Sequence, residues 1–269
     1  MDDIRNTALV GHQSTGKTTL GEAILFNAGV TNRIGRVEDG NTVLDSGPDE
    51  IERTISISAA VASIEHNKTK INFIDTPGYE DFVGEVYSSV HVVESGVIVM
   101  SADSGVEVGI EKNWALLESR GLPRIIAVNK MDKDHADFDK CLAAAQKQLG
   151  TKIMPLFLPI GAGESFSGVV DVLKKKAFVY SESGKFAVED VPADLAGRVD
   201  DLWQGLMDFA AESDDSLLEK FLEGGELTDK ELIGGLSKGC RAGTLVPMIP
   251  VSALENIGVR QLMDFIVEL

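Results

Sequence analysis

Gly11-His12-Gln13-Ser14-Thr15-Gly16-Lys17-Thr18 constrains what this chain can fold into more than any other stretch. It has the spacing G-x-x-x-x-G-K-[ST], which works only between a strand that delivers it and a helix that it opens. Residues 7–10 are an apolar run of strand length, and 17–28 are helix-like with Gly29 placed to cap the end. In such a loop the glycines let backbone N–H groups turn inward around phosphate oxygens, and the helix N-terminus adds a favourable field. Lys17 is expected to reach the β- and γ-phosphates and Thr18 to offer its hydroxyl to Mg²⁺, with Gly11 to Thr19 as the phosphate-binding set. The bland alternative is a chance match on a glycine-rich turn, and the flanking strand and helix argue against it.

Downstream, short apolar runs alternate with amphipathic stretches, the rhythm of a mostly parallel α/β sheet with helices on both faces. Strands are expected at 55–64, 71–74, 97–101, 124–128, 154–159 and 248–251, with a turn at 66–69. Helices are expected at 82–94, 110–120, 138–149 and 259–268. Residues 31–52 are polar, acidic and without periodicity, long enough that they are either functional or disordered. Between 161 and 246 the rhythm breaks into short strands, a hairpin through 178–186, and acidic helices. The expected organisation is a nucleotide-binding domain made of 1–160 and 246–269, carrying an inserted α+β subdomain, 161–245, between its fifth and sixth core strands.

Two further motifs fall where strands end. Asp75-Thr76-Pro77-Gly78 follows the run 71–74; an Asp there can hold Mg²⁺ opposite Thr18, and Gly78 can bring its N–H to a γ-phosphate with no Cβ in the way. Alone, D-x-x-G is an ordinary turn; its place after a phosphate loop gives it weight. Asn129-Lys130-Met131-Asp132 follows 124–128. A carboxylate only accepts, so Asp132 matches the N1–H and exocyclic amine of guanine and mismatches adenine. Asn129 can bridge base and phosphate loop, and the Lys130 stem can lie on the ring. Ser252-Ala253-Leu254 follows the last strand, where the Ala253 N–H can donate to guanine O6. The three motifs in this order point to GTP or GDP with Mg²⁺.

Composition narrows the partners. A net charge of −18 and a pI near 4.6 disfavour a broad grip on nucleic acid, so DNA is excluded and RNA contact restricted to local patches. Fifteen acidic against four basic residues between Glu182 and Glu231 concentrate the negative charge in the insertion; docking to a basic surface and simple solubility both account for it. The two cysteines, Cys141 and Cys240, have no metal-like spacing. The N-terminus lacks a signal profile and no apolar run is long enough for a bilayer, so a cytoplasmic monomer without a membrane role is expected. His12 and His66 read as loop and turn residues, Lys174 to Lys176 as a solvated face, Trp114 and Trp203 as packing contacts, and Cys141 as a small buried hydrophobe.

Residues 11–19, 52–57, 75–78, 129–132 and 252–258 resemble the five guanine-nucleotide motifs of elongation factor G, and the resemblance covers essentially the whole chain. Pro159-Ile160-Gly161-Ala162, Gly168-Val169-Val170-Asp171 and Phe221-Leu222-Glu223-Gly224 are similar to parts of that family's inserted G′ subdomain. The resemblance implies GTP hydrolysis coupled to the ribosome, with the stalk protein and large-subunit rRNA as partners, and a linker from Leu269 into a β-barrel domain. It also implies that Ser56, in Arg53-Thr54-Ile55-Ser56-Ile57, stands where a Thr usually reaches Mg²⁺. Residues 31–52 should then lack order until Ser56 and the metal meet a γ-phosphate. Ser14 replaces an Asp of the family's loop. Tyr79 replaces the His that follows the family's D-T-P-G, and a neutral phenol cannot become the cation that a His can. Tyr79 with Gly78 and Lys17 is the catalytic set so implied; the alternatives are a packing role for Tyr79, or a GTP-dependent binding module that hydrolyses poorly. The pattern is most like the divergent elongation factor G-like paralogues, and a ribosome-protection or release-type GTPase remains open.

Overall fold

Strands whose successive residues are all apolar must be covered on both faces. Ala8 to Val10, Val97 to Met100 and Ile126 to Val128 are fully buried, and they form the middle of the sheet. The computed structural model describes residues 3–150, 153–181, 184–225 and 227–268. In chain order the first elements are β1 (Asp3–Gly11), α1 (Lys17–Asn27), α2 (Pro48–Arg53), β2 (Ala60–His66), β3 (Thr69–Asp75), α3 (Val83–Val90), β4 (Ser95–Ser101), α4 (Val108–Ser119), β5 (Arg124–Asn129), α5 (Phe138–Gln148) and β6 (Ile153–Pro155). Then come β7 (Phe157–Ile160), β8 (Gly168–Asp171), β9 (Lys176–Tyr180), β10 (Phe186–Asp190), α6 (Ala193–Glu212), α7 (Asp215–Leu222), α8 (Asp229–Ala242), β11 (Val246–Pro250) and α9 (Val259–Glu268).

Seven strands form one sheet in the order β2-β3-β1-β4-β5-β11-β6, parallel except for β2. The C-terminal ends of β1, β3, β5 and β11 lead directly into the four motif loops, so one rim of the sheet gathers them. This is where ligands sit in open α/β sheets. Four more strands form an antiparallel sheet, β10-β9-β8-β7, and α6, α7 and α8 follow it. The expected hairpin is there: Phe186 pairs with Tyr180, and Phe178 and Phe186 meet edge to face at 5.3 Å.

Three boundaries differ from the sequence reading. The alternating run 55–64 becomes strand only from Ala60. The N–H groups of Ile57 and Ser58 donate to Glu50 Oε1 and that of Ala59 to Glu85 Oε2, so carboxylates take the donors a ladder would need. The run 154–159 is two strands: β6 pairs with β11 in the large sheet, Leu156 still donates to Met248 O, and from Phe157 the chain pairs with β8. The second sheet therefore starts before residue 161, and it follows the sixth of the seven large-sheet strands. The helix expected at 82–94 is shorter, a 3₁₀ turn Glu80–Phe82 leading into α3.

Helix α9 packs on α1 and carries links in two directions. Asp264 Oδ1 lies 2.6 Å from His66 Nε2 at the β2–β3 turn. Gln261 accepts from the Tyr180 hydroxyl and Glu268 from Lys174 at 3.3 Å, both on the side of the second sheet. Lys174, Lys175 and Lys176 are not one free face: they pair with Asp171 and Glu268, Asp200, and Asp190 respectively. Apart from buried Asp171, these partners are exposed, so solvent and salt screen the pairs. Trp114 is buried under the Arg124 guanidinium, Trp203 lies under Lys175, and Cys141 is buried.

Candidate functional site

β1 ends at Gly11 and α1 begins at Lys17, so the loop between them opens a helix as its glycines require. Gly16 has φ 87° and Ser14 φ 58°. The left-handed region suits Asp and Asn better than Ser, so the change at Ser14 costs the loop some conformational ease. The Lys17 ammonium donates to His12 O at 2.8 Å and Gly11 O at 3.3 Å, inside the loop it is expected to serve. Burial pulls its pKa down, opposed by the charges of Asp75, Asp45 and Glu107. Gly78 faces the loop closely. A Cβ there would stand 2.6 Å from Lys17 Nζ and 2.7 Å from Gln13 Cα, so glycine lets this backbone lie against the loop.

Three segments meet beside Thr18. Its hydroxyl donates to Asp75 Oδ2 at 2.7 Å and lies 3.1 Å from Ser56 Oγ, which donates to Asp45 Oδ2 at 3.0 Å. Asp75 Oδ1 and Asp45 Oδ1 are buried without a hydrogen-bond partner among the described residues. Burial pushes the pKa of both carboxyls up; Asp45 and Glu22 add repulsion at Asp75, and Glu50 and Glu22 add it at Asp45. Buried acceptors without donors are rare and costly, and among the described residues Lys17 is the sole cation of the groups that act on Asp75. Two hydroxyls, two carboxylates and this surplus of negative charge fit Mg²⁺, a hard cation bound by one or two carboxylates together with phosphates and water.

Lys17, Thr18, Thr19, Gln13, Ser14, Gly16, Ser56, Gly78, Tyr79 and Lys130 line one cavity of about 230 Å³, together with Asp45, Glu38 and Ile55. A larger cavity, about 350 Å³ between α9 and the second sheet, contains no residue of the nucleotide motifs; size does not mark the chemistry here. Asp75 lies buried at the end of β3. Tyr79 is half-buried, and its carbonyl accepts from Phe82 N to start the 3₁₀ turn.

The base-recognition residues form a separate, braced network. Asn129 Nδ2 donates to Thr15 O at 2.9 Å, and Asn129 Oδ1 accepts the Ala253 N–H at 2.9 Å. Ser252 donates to Asp132 Oδ1 at 2.5 Å and accepts from Glu255 N. The Ala253 N–H expected on guanine O6 is thus engaged by Asn129. Lys130 has φ 64°, Asp132 is half-buried and Leu254 is exposed.

The sequence reading missed Asp45, Glu22 and Glu50. All three lie in or against residues 31–52, whose backbone Glu22 and Glu50 hold. Leu44 enters the core, Glu22 Oε1 accepts from Val43 N and Leu44 N, and Glu50 Oε2 accepts from Gly47 N. An acidic residue in an acidic stretch gives no signal of its own; only its partners across the fold distinguish it.

The family model of the elongation factor Tu GTP binding domain matches residues 2–269. The chain belongs to that family. A crystal structure of a Thermus thermophilus protein superposes with a TM-score of 0.94 over 100% of this chain at 36% identity, and the chain spans 40% of that protein's length. As an elongation-factor-type GTP-binding domain, the chain binds guanine nucleotide. Among the described residues no helix is long and apolar enough to cross a membrane.

Proposed function

We propose that this chain is the GTP-hydrolysing domain of an elongation factor G-like translational GTPase, coupling nucleotide state to action on the ribosome. The observation that carries this reading is the convergence of Thr18, Asp75, Ser56 and Asp45 beside a cavity that Lys17, Gly78 and Tyr79 also line. On binding GTP, Lys17 exchanges the carbonyls of Gly11 and His12 for β- and γ-phosphate oxygens. Thr18, Ser56, Asp75 and Asp45 would hold Mg²⁺, which would supply charge neutralisation for the phosphates. The Gly78 N–H donates to the γ-phosphate. Asp132 accepts from the guanine N1–H and amine with the capacity Ser252 leaves free, the Lys130 stem covers the ring, and the Ala253 N–H is shared between Asn129 and O6.

Tyr79, which lines that cavity, orients the attacking water in this reading without adding positive charge. Phosphoryl transfer depends on positioning and on charge stabilisation, so intrinsic turnover is slow and the ribosome supplies the rest. The same residue favours a second reading, a GTP-dependent ribosome-binding module with little hydrolysis. Single-turnover hydrolysis with and without ribosomes separates them. Tyr79→Phe should slow stimulated hydrolysis at nearly constant GTP affinity, and Tyr79→His should raise it above wild type, each tenfold being ~1.4 kcal/mol of barrier. Identical rates in all three proteins would remove Tyr79 from catalysis. Residues 161–245 are the inserted subdomain in this reading, meeting the ribosomal stalk protein while 1–160 and 246–269 face large-subunit rRNA; the protein works as a cytoplasmic monomer.

A further inference from the structure

Asp45 and Ser56 come from a segment with little regular structure, yet they meet Thr18 and Asp75 at hydrogen-bond distance. Something other than a ladder must set their place. On the near side of Asp45, the Glu22 carboxylate accepts the N–H groups of Val43 at 2.7 Å and Leu44 at 3.0 Å. On the far side of Ser56, the Glu50 carboxylate accepts those of Ile57 at 3.0 Å and Ser58 at 3.1 Å, while its other oxygen takes Gly47 N at 3.0 Å. Both glutamates are buried, Glu22 to 1% exposure and Glu50 to 9%. Burying a carboxylate is expensive unless donors satisfy it, and bonds to a charged acceptor are about twice as strong as neutral ones. Glu50 has donors on both oxygens and Glu22 on Oε1, its Oε2 having none among the described residues.

Glu22 is also four residues from Thr18 on α1, so both side chains leave the same helix face. The helix that presents the Thr18 hydroxyl therefore carries the carboxylate that fixes the residue next to Asp45. Gly35 completes the fit: a Cβ there would stand 2.5 Å from Glu22 Oε2 and 2.8 Å from Thr42 Cα.

We propose that Glu22 and Glu50 are positioning residues for the cation end of the nucleotide site: by holding the backbone on either side, they set Asp45 and Ser56 against Thr18 and Asp75. The inference rests on the reading of Asp45 and Ser56 as the Mg²⁺ side of the site. Neither glutamate is among the residues lining the cavity, so each acts through the segment it holds.

The test uses the full chain. Amide hydrogen exchange in the nucleotide-free protein reads the clamp directly, and the Mg²⁺ concentration needed for half-maximal affinity of a fluorescent GTP analogue reads its consequence. Glu22→Ala should speed exchange at Val43 and Leu44, and Glu50→Ala at Ile57 and Ser58, each by roughly tenfold or more. Both should raise the Mg²⁺ requirement while leaving guanine selectivity over xanthine unchanged. Glu22→Gln and Glu50→Gln keep an acceptor oxygen and should restore most of the protection. Gly35→Ala crowds both Glu22 Oε2 and the Thr42 backbone while leaving Glu22 itself intact, and should likewise speed exchange at Val43 and Leu44, which keeps the test open if an alanine variant folds poorly. Wild-type exchange at those amides in Glu22→Ala and Gly35→Ala would overturn the proposal. So would an unchanged Mg²⁺ requirement in Glu22→Ala when Asp45→Asn raises it. If Asp45→Asn and Ser56→Ala leave the Mg²⁺ requirement alone, the cation reading falls, and faster exchange in the alanine variants still upholds the clamp.

Discussion

The two ends of the nucleotide site are built on opposite principles. At the base end, Asn129 spends both of its polar atoms on Thr15 and Ala253, and Ser252 ties Asp132 to the loop after β11. At the phosphate end, Asp75 and Asp45 each keep a buried oxygen without a donor among the described residues, and the carboxylates around Thr18 repel one another. One end is satisfied by the protein alone. The other is completed by what binds. A satisfied network rigidifies its surroundings, whereas an unsatisfied one stores free energy that a ligand releases. In the function proposed above, the first end would select the base and the second would respond to phosphate and cation.

Substitutions should separate the two. The largest effect is expected at the phosphate end: Lys17→Ala removes charge-assisted bonds worth ~3 kcal/mol or more together, so calorimetric GTP affinity should fall at least a hundredfold. Thr18→Ala should be milder and confined to Mg²⁺-containing buffer. Equal affinity in wild type and Lys17→Ala would remove the phosphate-loop assignment. At the base end, Asp132→Asn should weaken GTP by ~1.5–3 kcal/mol per lost bond and improve xanthosine nucleotides, as competition titration reads.

The comparison sharpens without any ligand. Asn129→Ala leaves Thr15 O and the Ala253 N–H unpaired, and chemical denaturation of the nucleotide-free protein should report a loss of ~1–3 kcal/mol. Asp75→Asn keeps an acceptor for Thr18 and removes one buried charge from a repelling cluster, so the same protein should gain ~1 kcal/mol while its Mg²⁺ affinity falls. A loss of stability in both variants would mean that the two ends do not differ in kind.

The smallest effect is expected far from either end. Reversing the charge at Asp201 should slow ribosome-stimulated turnover a fewfold at low salt and not at high salt. Asp200 is a poorer probe, because it pairs with Lys175 at 2.6 Å. Unchanged turnover at all salt concentrations would leave the acidity of the insertion to solubility.

What was legible in the sequence follows from the same contrast. The motif loops are contiguous, and each sits at the end of an apolar strand, so residue order alone placed Lys17, Asp75, Asn129 and Ser252 on one rim. Helix α9 was readable to its last residue because its apolar face repeats along its whole length. Residues 55–59 misled because alternation predicts a ladder only when the backbone donors are free, and Glu50 and Glu85 had taken them. The division at Leu156 was hidden because both sheets demand the same apolar composition on either side of it. Asp45, Glu22 and Glu50 were invisible for another reason. A carboxylate acquires a role when distant backbone meets it, and no local pattern records that meeting.

Helix α9 gives the molecule a mechanical property that none of its parts has alone. Asp264 is fastened to His66 at the tip of the β2–β3 hairpin, while Gln261 and Glu268 are fastened to Tyr180 and Lys174 beside the second sheet. β3, in turn, runs from that tip to Asp75 at the reacting end. The helix is a tie with a fitting on each side: a displaced α9 would strain its bonds to the hairpin that leads to Asp75 and its bonds beside the second sheet together.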